Sequence, residues 1–209
     1  MNEGNLFIVM APSGAGKTSL VNALVEREGR TNLRISISHT TRPKRPGEID
    51  GENYYFVDDS TFMAMLENSE FIESAEVYGH RYGTSQLWVK DTLRSGVSVI
   101  LEIDWQGAAQ IRHIMPDACT IFILPPSVET LRERLTQRAQ DDPDTIERRM
   151  TQAAEDISHV AEADFVVVNA DFDTALEDLQ AIIRSQRLTW DYQARNQPDL
   201  LGRLADTAG

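Results

Sequence analysis

Cysteine is nearly absent from this sequence: its 209 residues contain one, Cys119. A single cysteine excludes an internal disulfide. Because Cys119 opens the apolar run CTIFIL, we interpret it as a small buried hydrophobic residue and not as a catalytic thiol. Apolar runs of roughly 18 residues, the length needed to span a bilayer, are also absent. The first residues, MNEGNLFIVM, lack the basic region and cleavage site of a signal peptide. These absences predict a cytoplasmic protein.

Positive charge is scarce as well. Lysine and arginine total 20 against 33 acidic residues, which gives a formal net charge of −13. This balance argues against broad binding to nucleic acid or to an anionic membrane, because such binding requires a dominant basic face. The few basic residues cluster in RPKR at 42–45, RERLTQR at 132–138 and RR at 148–149. Each cluster is either a solvated helix face or a local anion site.

The length and the alternation of apolar patterns predict one α/β domain over residues 1–209 with a parallel sheet flanked by helices. Near-continuous apolar runs, typical of strands covered on both faces, occur at Leu6–Met10, Val97–Ile103, Thr120–Leu124 and Phe165–Val168. Helical patterns occur at Lys17–Glu28, Ser85–Ser95 and Gln106–Met115, from a cap at Ser127 through Arg138, and from a cap at Asp173 through about Tyr192.

Two segments interrupt the alternation. Residues 33–84 are rich in β-branched and aromatic residues with prolines and glycines between them, which predicts an inserted, partly β subdomain made of short strands and turns. Residues 128–155 are helical, arginine-rich and interrupted by QDDPD, and we expect them to form a lid. The core is then 1–32, 85–127 and 156–193. The tail, about 197–209, is expected to fray.

The stretch LFIVMAPSGAGKTS has the order strand, glycine-rich turn, helix, which suits a phosphate-binding loop. The general pattern G-x-x-x-x-G-K-[ST] has glycine first, where this chain has Ala11; alanine suffices there if its φ stays negative. Glycines let backbone N–H groups point at an anion, and the helix dipole adds positive potential. We predict that ATP contacts Ala11, Pro12, Ser13, Gly14, Ala15, Gly16, Lys17 and Thr18, with the Thr18 hydroxyl on Mg²⁺.

Further along, the chain is similar to the guanylate kinases of the bacterial type. The resemblance runs through APSGAGKTS, SISHTTRPKRPGEIDGENYYFV, FIESAEVYGHRYGTS, LEIDWQGAAQIR, IFILPPS and FVVVNADFDTA, and covers about residues 4–190. It implies a P-loop NTPase-type fold with a GMP-binding insertion, at about 33–84, and a helical lid. It also implies the reaction ATP + GMP ⇌ ADP + GDP, with dGMP as a second acceptor. Bacterial members often carry alanine at the place of Ala11.

The resemblance assigns the acceptor site to the insertion. The GMP phosphate is held by the residues that correspond to Ser38, Arg42, Arg45, Tyr54 and Tyr82. Guanine is read by those that correspond to Glu73, Thr84 and Asp104, next to Gly83. A carboxylate only accepts, so Glu73 suits the N1–H and N2–H donors of guanine, whereas Thr84 donates to O6. Adenine has an acceptor at N1 and would oppose Glu73. His39 lies in the same segment, and contact with GMP stays open.

The resemblance assigns the charge-neutralising residues to the loop, the insertion and the lid. They correspond to Lys17, Arg42, Arg134, Arg138 and Arg149, and the residue near the adenine corresponds to Asn169. Two positions depart from the family. Glu102 stands where the family usually has aspartate, so contact with the GMP ribose or with a metal-bound water is left open. Ala139 stands where glycine is common.

Two other functions remain as alternatives. One is a P-loop kinase whose acceptor is AMP, a pyrimidine nucleotide or a phosphorylated sugar, although the pair Glu73 and Thr84 suits guanine. The other is a non-catalytic guanylate-kinase-like module that binds a protein, although this chain keeps Lys17 and Thr18 of the loop. The expected partners are ATP and GMP, with neither nucleic acid nor membrane, and self-association is left open.

Overall fold

The computed structural model describes residues 3–77, 79–138 and 143–206, apart from the side chains at 138, 143, 205 and 206. The strands are β1 Leu6–Met10, β2 Leu33–Ile35, β3 His39–Thr40, β4 Tyr55–Phe56, β5 Phe71–Val77, β6 His80–Ser85, β7 Ser98–Glu102, β8 Cys119–Leu124 and β9 Phe165–Val168. The helices are α1 Lys17–Glu28, α2 Asp59–Glu67, α3 Gln86–Arg94, α4 Trp105–Ile114, α5 Val128–Arg138, α6 Pro143–Ser158, α7 Phe172–Gln186, α8 Trp190–Asn196 and α9 Pro198–Asp206. A 3₁₀ turn covers Val160–Glu162.

The larger sheet is parallel and has the order β2-β7-β1-β8-β9. Its central strand β1 is buried along its whole length because both faces are covered. Phe7 and Val9 pack into a core with α1 and α7, whereas Leu6, Ile8 and Met10 pack into a second core with α3 and α4. The near-continuous apolar runs therefore mark buried parallel strands, and the prediction of an α/β fold with a flanked parallel sheet is confirmed.

Cys119 lies in this sheet and is 6% exposed. Burial raises the pKa of its thiol to about 12, so the thiol stays protonated near neutral pH. Its environment is that of a packed hydrophobic residue, as we expected from the run that it opens.

A second, smaller mixed sheet has the order β4-β3-β6-β5. Its strands β3 and β4 are parallel, and the remaining pairs are antiparallel. We expected only short strands and turns in 33–84, yet the segment also contains α2, which is capped by the Asp58 carboxylate accepting the N–H of Thr61. In addition, Leu33–Ile35 pairs with β7 at the edge of the larger sheet, so the smaller sheet takes its strands from residues 39–85.

The C-terminal helices differ from the expected pattern. The helix expected from a cap at Asp173 through about Tyr192 is in fact α7 followed by α8. Asp171 caps α7 by accepting the N–H of Thr174, and Thr189 caps α8. Where a fraying tail was expected, residues 198–206 form α9: Pro198 occupies the first helical position, and leucines recur at helical spacing. Residues 207–209 lie outside the described part of the chain.

The segment expected to form a lid contains α5 and α6. Leu131 and Leu135 of α5 pack with Ala153 of α6, and Arg132 pairs with Glu147 across the two helices. In the described ranges, no helix is both long and apolar enough to cross a membrane.

Candidate active site

The carboxyl ends of the parallel strands meet at one edge of the larger sheet, and the glycine-rich loop leaves β1 at this edge. Gly14 and Gly16 both have φ of 91°, a conformation that a residue with a Cβ adopts only with strain. Ala11 is not among the described residues with positive φ, so alanine is accommodated there. Gly16 precedes the first turn of α1, and the loop therefore presents backbone N–H groups and the positive end of a helix.

Asn169, which directly follows β9, forms a hydrogen bond to the backbone of the glycine-rich loop. Its side chain is 5% exposed, and its Nδ2 donates a 2.8 Å hydrogen bond to the carbonyl of Ala15. The backbone carbonyl of Asn169 accepts Nη2 of Arg134 at 3.2 Å, while Nη1 of Arg134 is buried without a hydrogen-bond partner among the described residues. One asparagine thus links the loop to a lid arginine.

Glu102 and Asp104, at the end of β7, occupy different environments. The hydroxyl of Thr18 donates to Oε2 of Glu102 at 3.0 Å, so this carboxylate lies beside the start of α1. Asp104 instead caps α4, because its Oδ1 accepts the N–H of Gly107 at 2.9 Å. The extra methylene of Glu102, compared with aspartate, brings its carboxylate to the hydroxyl that we predicted to bind Mg²⁺.

The arginines of the insertion are organised by an acid that sequence reasoning missed. Glu48 binds Arg42 in two places, with Nη2–Oε1 at 2.7 Å and Nη1–Oε2 at 3.1 Å, and also accepts the backbone N–H of Arg45 at 2.7 Å. The hydrogen bond from Arg42 is the main cause that lowers the pKa of Glu48. Arg42, 8% exposed, lies over the ring of Tyr54 at 5.3 Å. The motif R-x-x-R-x-G-E signals this clamp, since it places the acid three residues after the second arginine.

Tyr54 and Tyr82 complete the cluster around Arg42. Their rings meet edge to face at 5.9 Å. Burial, followed by the proximity of Tyr82 and then Glu102, raises the pKa of Tyr54. Glu102, which contacts Thr18 of the loop, therefore also acts electrostatically on the cluster that we predicted to bind the GMP phosphate.

The predicted base-reading residues lie together at the contact between the insertion and the core. Glu73 on β5 is 4% exposed, and its Oε1 accepts the hydroxyl of Thr84 on β6 at 2.5 Å. The hydroxyl of Ser38 is 3.5 Å from that of Thr84. Burial is the main cause that raises the pKa of Glu73 to about 7, and the negative charge of Asp104 adds to it. The structure thus brings Ser38, Glu73, Thr84 and Asp104 into one region.

Gly83 and His39 lie on the paired strands β6 and β3, directly opposite each other. The ring of Phe71 occupies the space next to Gly83, where a Cβ would come within 2.9 Å of it. His39 stacks on Tyr55 with ring centroids 4.8 Å apart, and burial lowers the pKa of His39. These contacts give His39 a packing role inside the smaller sheet.

The end of α6 returns to the site. The ring of His159 stacks on Trp105 with centroids 3.9 Å apart, and Trp105 directly follows Asp104. Asp156, near the end of α6, has a pKa raised to about 6, chiefly by burial, with repulsion from Asp104 and an opposing effect of Lys17. Sequence reasoning missed Asp156, Trp105 and His159 here. The side chain predicted at Arg138 and the residue Ala139 lie outside the described part of the structure, whereas Arg149 lies on α6.

Comparisons with known proteins agree with this geometry. The guanylate kinase family model matches residues 3–186. The guanylate kinase of Shewanella oneidensis is 53% identical over 202 residues, which cover 97% of each chain. That of Alkalilimnicola ehrlichii is 54% identical over 206 residues and 99% of each chain. The crystal structure of guanylate kinase from Anaplasma phagocytophilum has a TM-score of 0.76 at 33% identity and covers 95% of this chain and 97% of its own.

The match includes the loop, the insertion and the lid within one continuous alignment of nearly full length. Both the sequence relatives and the crystal structure carry the same family name, so the resemblance that the motifs suggested is confirmed. The chain belongs to the guanylate kinase family.

Proposed function

We propose that this guanylate kinase phosphorylates GMP with ATP by direct in-line transfer between two adjoining phosphate sites. The insertion holds GMP, and the glycine-rich loop holds ATP. The observation that carries the proposal is the position of Glu102, which accepts the hydroxyl of Thr18 in the loop and whose charge also helps to raise the pKa of Tyr54 in the insertion. Adjoining sites suit in-line transfer, because the acceptor oxygen of GMP must approach the γ-phosphorus of ATP to about 3 Å while the bond from that phosphorus to the ADP oxygen breaks.

The acceptor phosphate binds the arginine cluster in this proposal. The guanidinium of Arg42 donates two hydrogen bonds to Glu48 and one to the carbonyl of Pro43, and these contacts hold its plane in place. Its remaining N–H donors, together with Arg45 and the hydroxyls of Ser38, Tyr54 and Tyr82, are available to the phosphate. An acceptor oxygen that is already anionic needs no general base, which suits a site built from cations and hydroxyls.

Glu73 selects guanine. Its carboxylate is buried, so each hydrogen bond that it accepts from the Watson–Crick edge of guanine contributes strongly to the binding free energy. A base with an acceptor in the same place would leave the buried carboxylate unpaired. Thr84 donates its proton to Glu73 in this structure. Rotation of this hydroxyl toward guanine O6 would free Oε1 of Glu73 for a donor of the base.

On the donor side, the loop binds the ATP phosphates, and Lys17 with Arg134, Arg138 and Arg149 neutralises the charge that spreads over the migrating group. Thr18 and Glu102 offer hard oxygen ligands 3.0 Å apart, which fit Mg²⁺ either directly or through its waters. When bound, Mg²⁺ supplies positive charge to the ATP phosphates. Closure of the lid over the loop excludes water and limits hydrolysis of ATP. We place this activity in the cytoplasm.

Release of ADP, measured with GMP, dGMP, AMP, CMP and UMP in turn, tests the acceptor. We expect turnover with GMP and dGMP, and at least about 100-fold lower kcat/KM with AMP. Lys17→Met should reduce kcat severely without changing the KM for GMP, and Glu73→Ala should raise the KM for GMP far more than that for ATP. Normal turnover of the Lys17 variant, or equal effects of the Glu73 variant on both substrates, would refute the respective assignments.

A further inference from the structure

Gly107, in the first turn of α4, lies against the carboxylate of Glu73. A Cβ at this position would come within 2.5 Å of Oε2 and 3.2 Å of Cδ of Glu73. The first of these distances is too short for any real Cβ contact, so a residue with a side chain at 107 would displace either the carboxylate or the helix. The Glu73 carboxylate therefore occupies the space that a Cβ at position 107 would fill.

Backbone conformation does not explain the glycine. The φ of Gly107 lies outside the positive region, and alanine is the strongest helix former whereas glycine is among the weakest. The N–H of Gly107 is donated to Asp104 and is not directed at Glu73. Glycine instead leaves room for two neighbouring side chains, chiefly Glu73 and to a smaller extent Ile103, whose Cδ1 would lie 3.3 Å from an added Cβ.

Gln110, one turn later on α4, holds the strand that carries Glu73. Its Nε2 donates to the carbonyl of Ser74 at 2.7 Å, and its Oε1 accepts the N–H of Ser74 at 3.1 Å. One side-chain amide thus satisfies both backbone groups of the residue after Glu73. On the other side, the register between β5 and β6 shifts between Phe71 and Glu73, which marks an irregularity in the strand directly before Glu73.

We propose that Gly107 and Gln110 are positioning residues for guanine recognition: α4 provides a gap at Gly107 and a double hydrogen bond at Gln110 that together set the Glu73 carboxylate. This inference rests on the proposed role of Glu73 as the acceptor for guanine. Because both residues belong to the core and Glu73 belongs to the insertion, base selectivity depends on how the two parts meet at α4.

The test is Gly107→Ala. Loss of correctly placed hydrogen bonds to a buried carboxylate should raise the KM for GMP by about 10- to 100-fold, with the KM for ATP within about twofold of wild type. The ratio of kcat/KM for GMP to that for AMP should fall. A merely structural effect would alter both KM values and the circular dichroism spectrum together.

Gly202→Ala is the matched control. Gly202 lies in α9 and has no atoms within 4 Å of a Cβ added to it, so the same substitution should leave both KM values unchanged. Glu73→Asp provides a second comparison because it withdraws the carboxylate by about 1.5 Å. In the double variant, adding Gly107→Ala to Glu73→Asp should raise the KM for GMP by less than about twofold over Glu73→Asp alone. The shorter side chain has already removed the overlap between the Cβ and the carboxylate.

Gln110→Glu tests the second contact and decides the matter if Gly107→Ala fails to fold. It replaces the donor to the Ser74 carbonyl with an acceptor, and we expect a rise of about 3- to 10-fold in the KM for GMP alone. The proposal is wrong if Glu73→Ala raises the KM for GMP but neither α4 variant does. If none of the three variants raises it, the role of Glu73 in reading guanine is wrong as well.

Discussion

Glu48 clamps Arg42 through both terminal guanidinium nitrogens, at 2.7 and 3.1 Å, and its Oε2 also accepts the backbone N–H of Arg45. The carboxylate therefore shapes the turn that carries both arginines proposed to bind the GMP phosphate. A negative charge next to a phosphate site weakens anion binding, but a bidentate clamp on a buried arginine fixes its orientation. We infer that positioning outweighs repulsion here.

Glu48→Ala should accordingly raise the KM for GMP by about tenfold or more while the KM for ATP stays near the wild-type value. Steady-state kinetics with each substrate varied in turn measure both. Glu52→Ala is the control, because Glu52 is an exposed acid in the next turn of the chain and its removal changes the net charge equally. A lower KM for GMP in the Glu48 variant would mean that repulsion dominates.

The pH dependence of GMP binding should follow Glu73. Its pKa is raised to about 7 in the free protein, so the carboxyl is mostly protonated at about pH 6 and opposes the guanine donors. We expect kcat/KM for GMP to fall about tenfold per pH unit below about pH 7. The GMP phosphate titrates near pH 6 in the same range. The Glu73→Gln profile should retain only that phosphate step, whereas a wild-type profile identical to that of the variant would contradict the assignment.

Glu102 should affect the Mg²⁺ concentration at which activity is half-maximal. If its carboxylate holds Thr18 and a metal-bound water, Glu102→Gln should raise the half-saturating Mg²⁺ concentration by about 10-fold. Thr18→Val should raise it further because it removes the proposed ligand. Glu102→Asp, which restores the residue usual in the family, should stay within about threefold of wild type. Initial rates at fixed ATP and varied Mg²⁺ measure this, and an unchanged Mg²⁺ dependence in Glu102→Gln would place the carboxylate elsewhere.

Asp156 should destabilise the free protein near neutral pH. Its pKa in the folded chain is about 6, above the ordinary 3.8, so the unfolded chain releases this proton first. Stability therefore falls as pH rises from about 4 to about 6. Because Asp156 is partly exposed and solvent screens its charge, Asp156→Asn should be more stable than wild type at about pH 8 by only about 1–2 kcal/mol, and the difference should vanish near pH 4. Urea denaturation at both values checks the sign. Equal differences at both pH values would mean that the gain has a non-ionic cause.

Local patterns were sufficient to predict the parts whose chemistry is contiguous in the chain. The loop was recognised from Gly14, Gly16 and Lys17 because their spacing already defines the turn. The parallel strands were recognised because burial on both faces leaves unbroken apolar runs. The break between α7 and α8 was missed because its signal, a cap at Thr189, lies within an otherwise helical pattern.

The residues that support the site could not be predicted in the same way. Gly107 and Gln110 act on a strand more than 30 positions away in the chain, and only the packing of α4 on β5 brings them together. In the sequence, Asp156 cannot be distinguished from an exposed acid on a helix. Only the structure shows that it is partly buried and affected by the charge of Asp104. Chain-local patterns contain no information about such distant neighbours, so base-reading residues were named but their supports were not.

Positions in the glycine-rich loop differ in whether they can tolerate a side chain, and Gly14 is a position that cannot do so without strain. Its positive φ already disfavours a side chain, and a Cβ there would also meet Leu131 and Leu135 of α5 at 3.1 Å. Ala11 has no such backbone demand, and the chain carries a methyl group at that end of the motif. Two separate constraints therefore require glycine at position 14: its own positive φ, and the close packing of α5 against it. A substitution there would therefore disturb both the proposed nucleotide-binding loop and the packing of α5 on it in a single step.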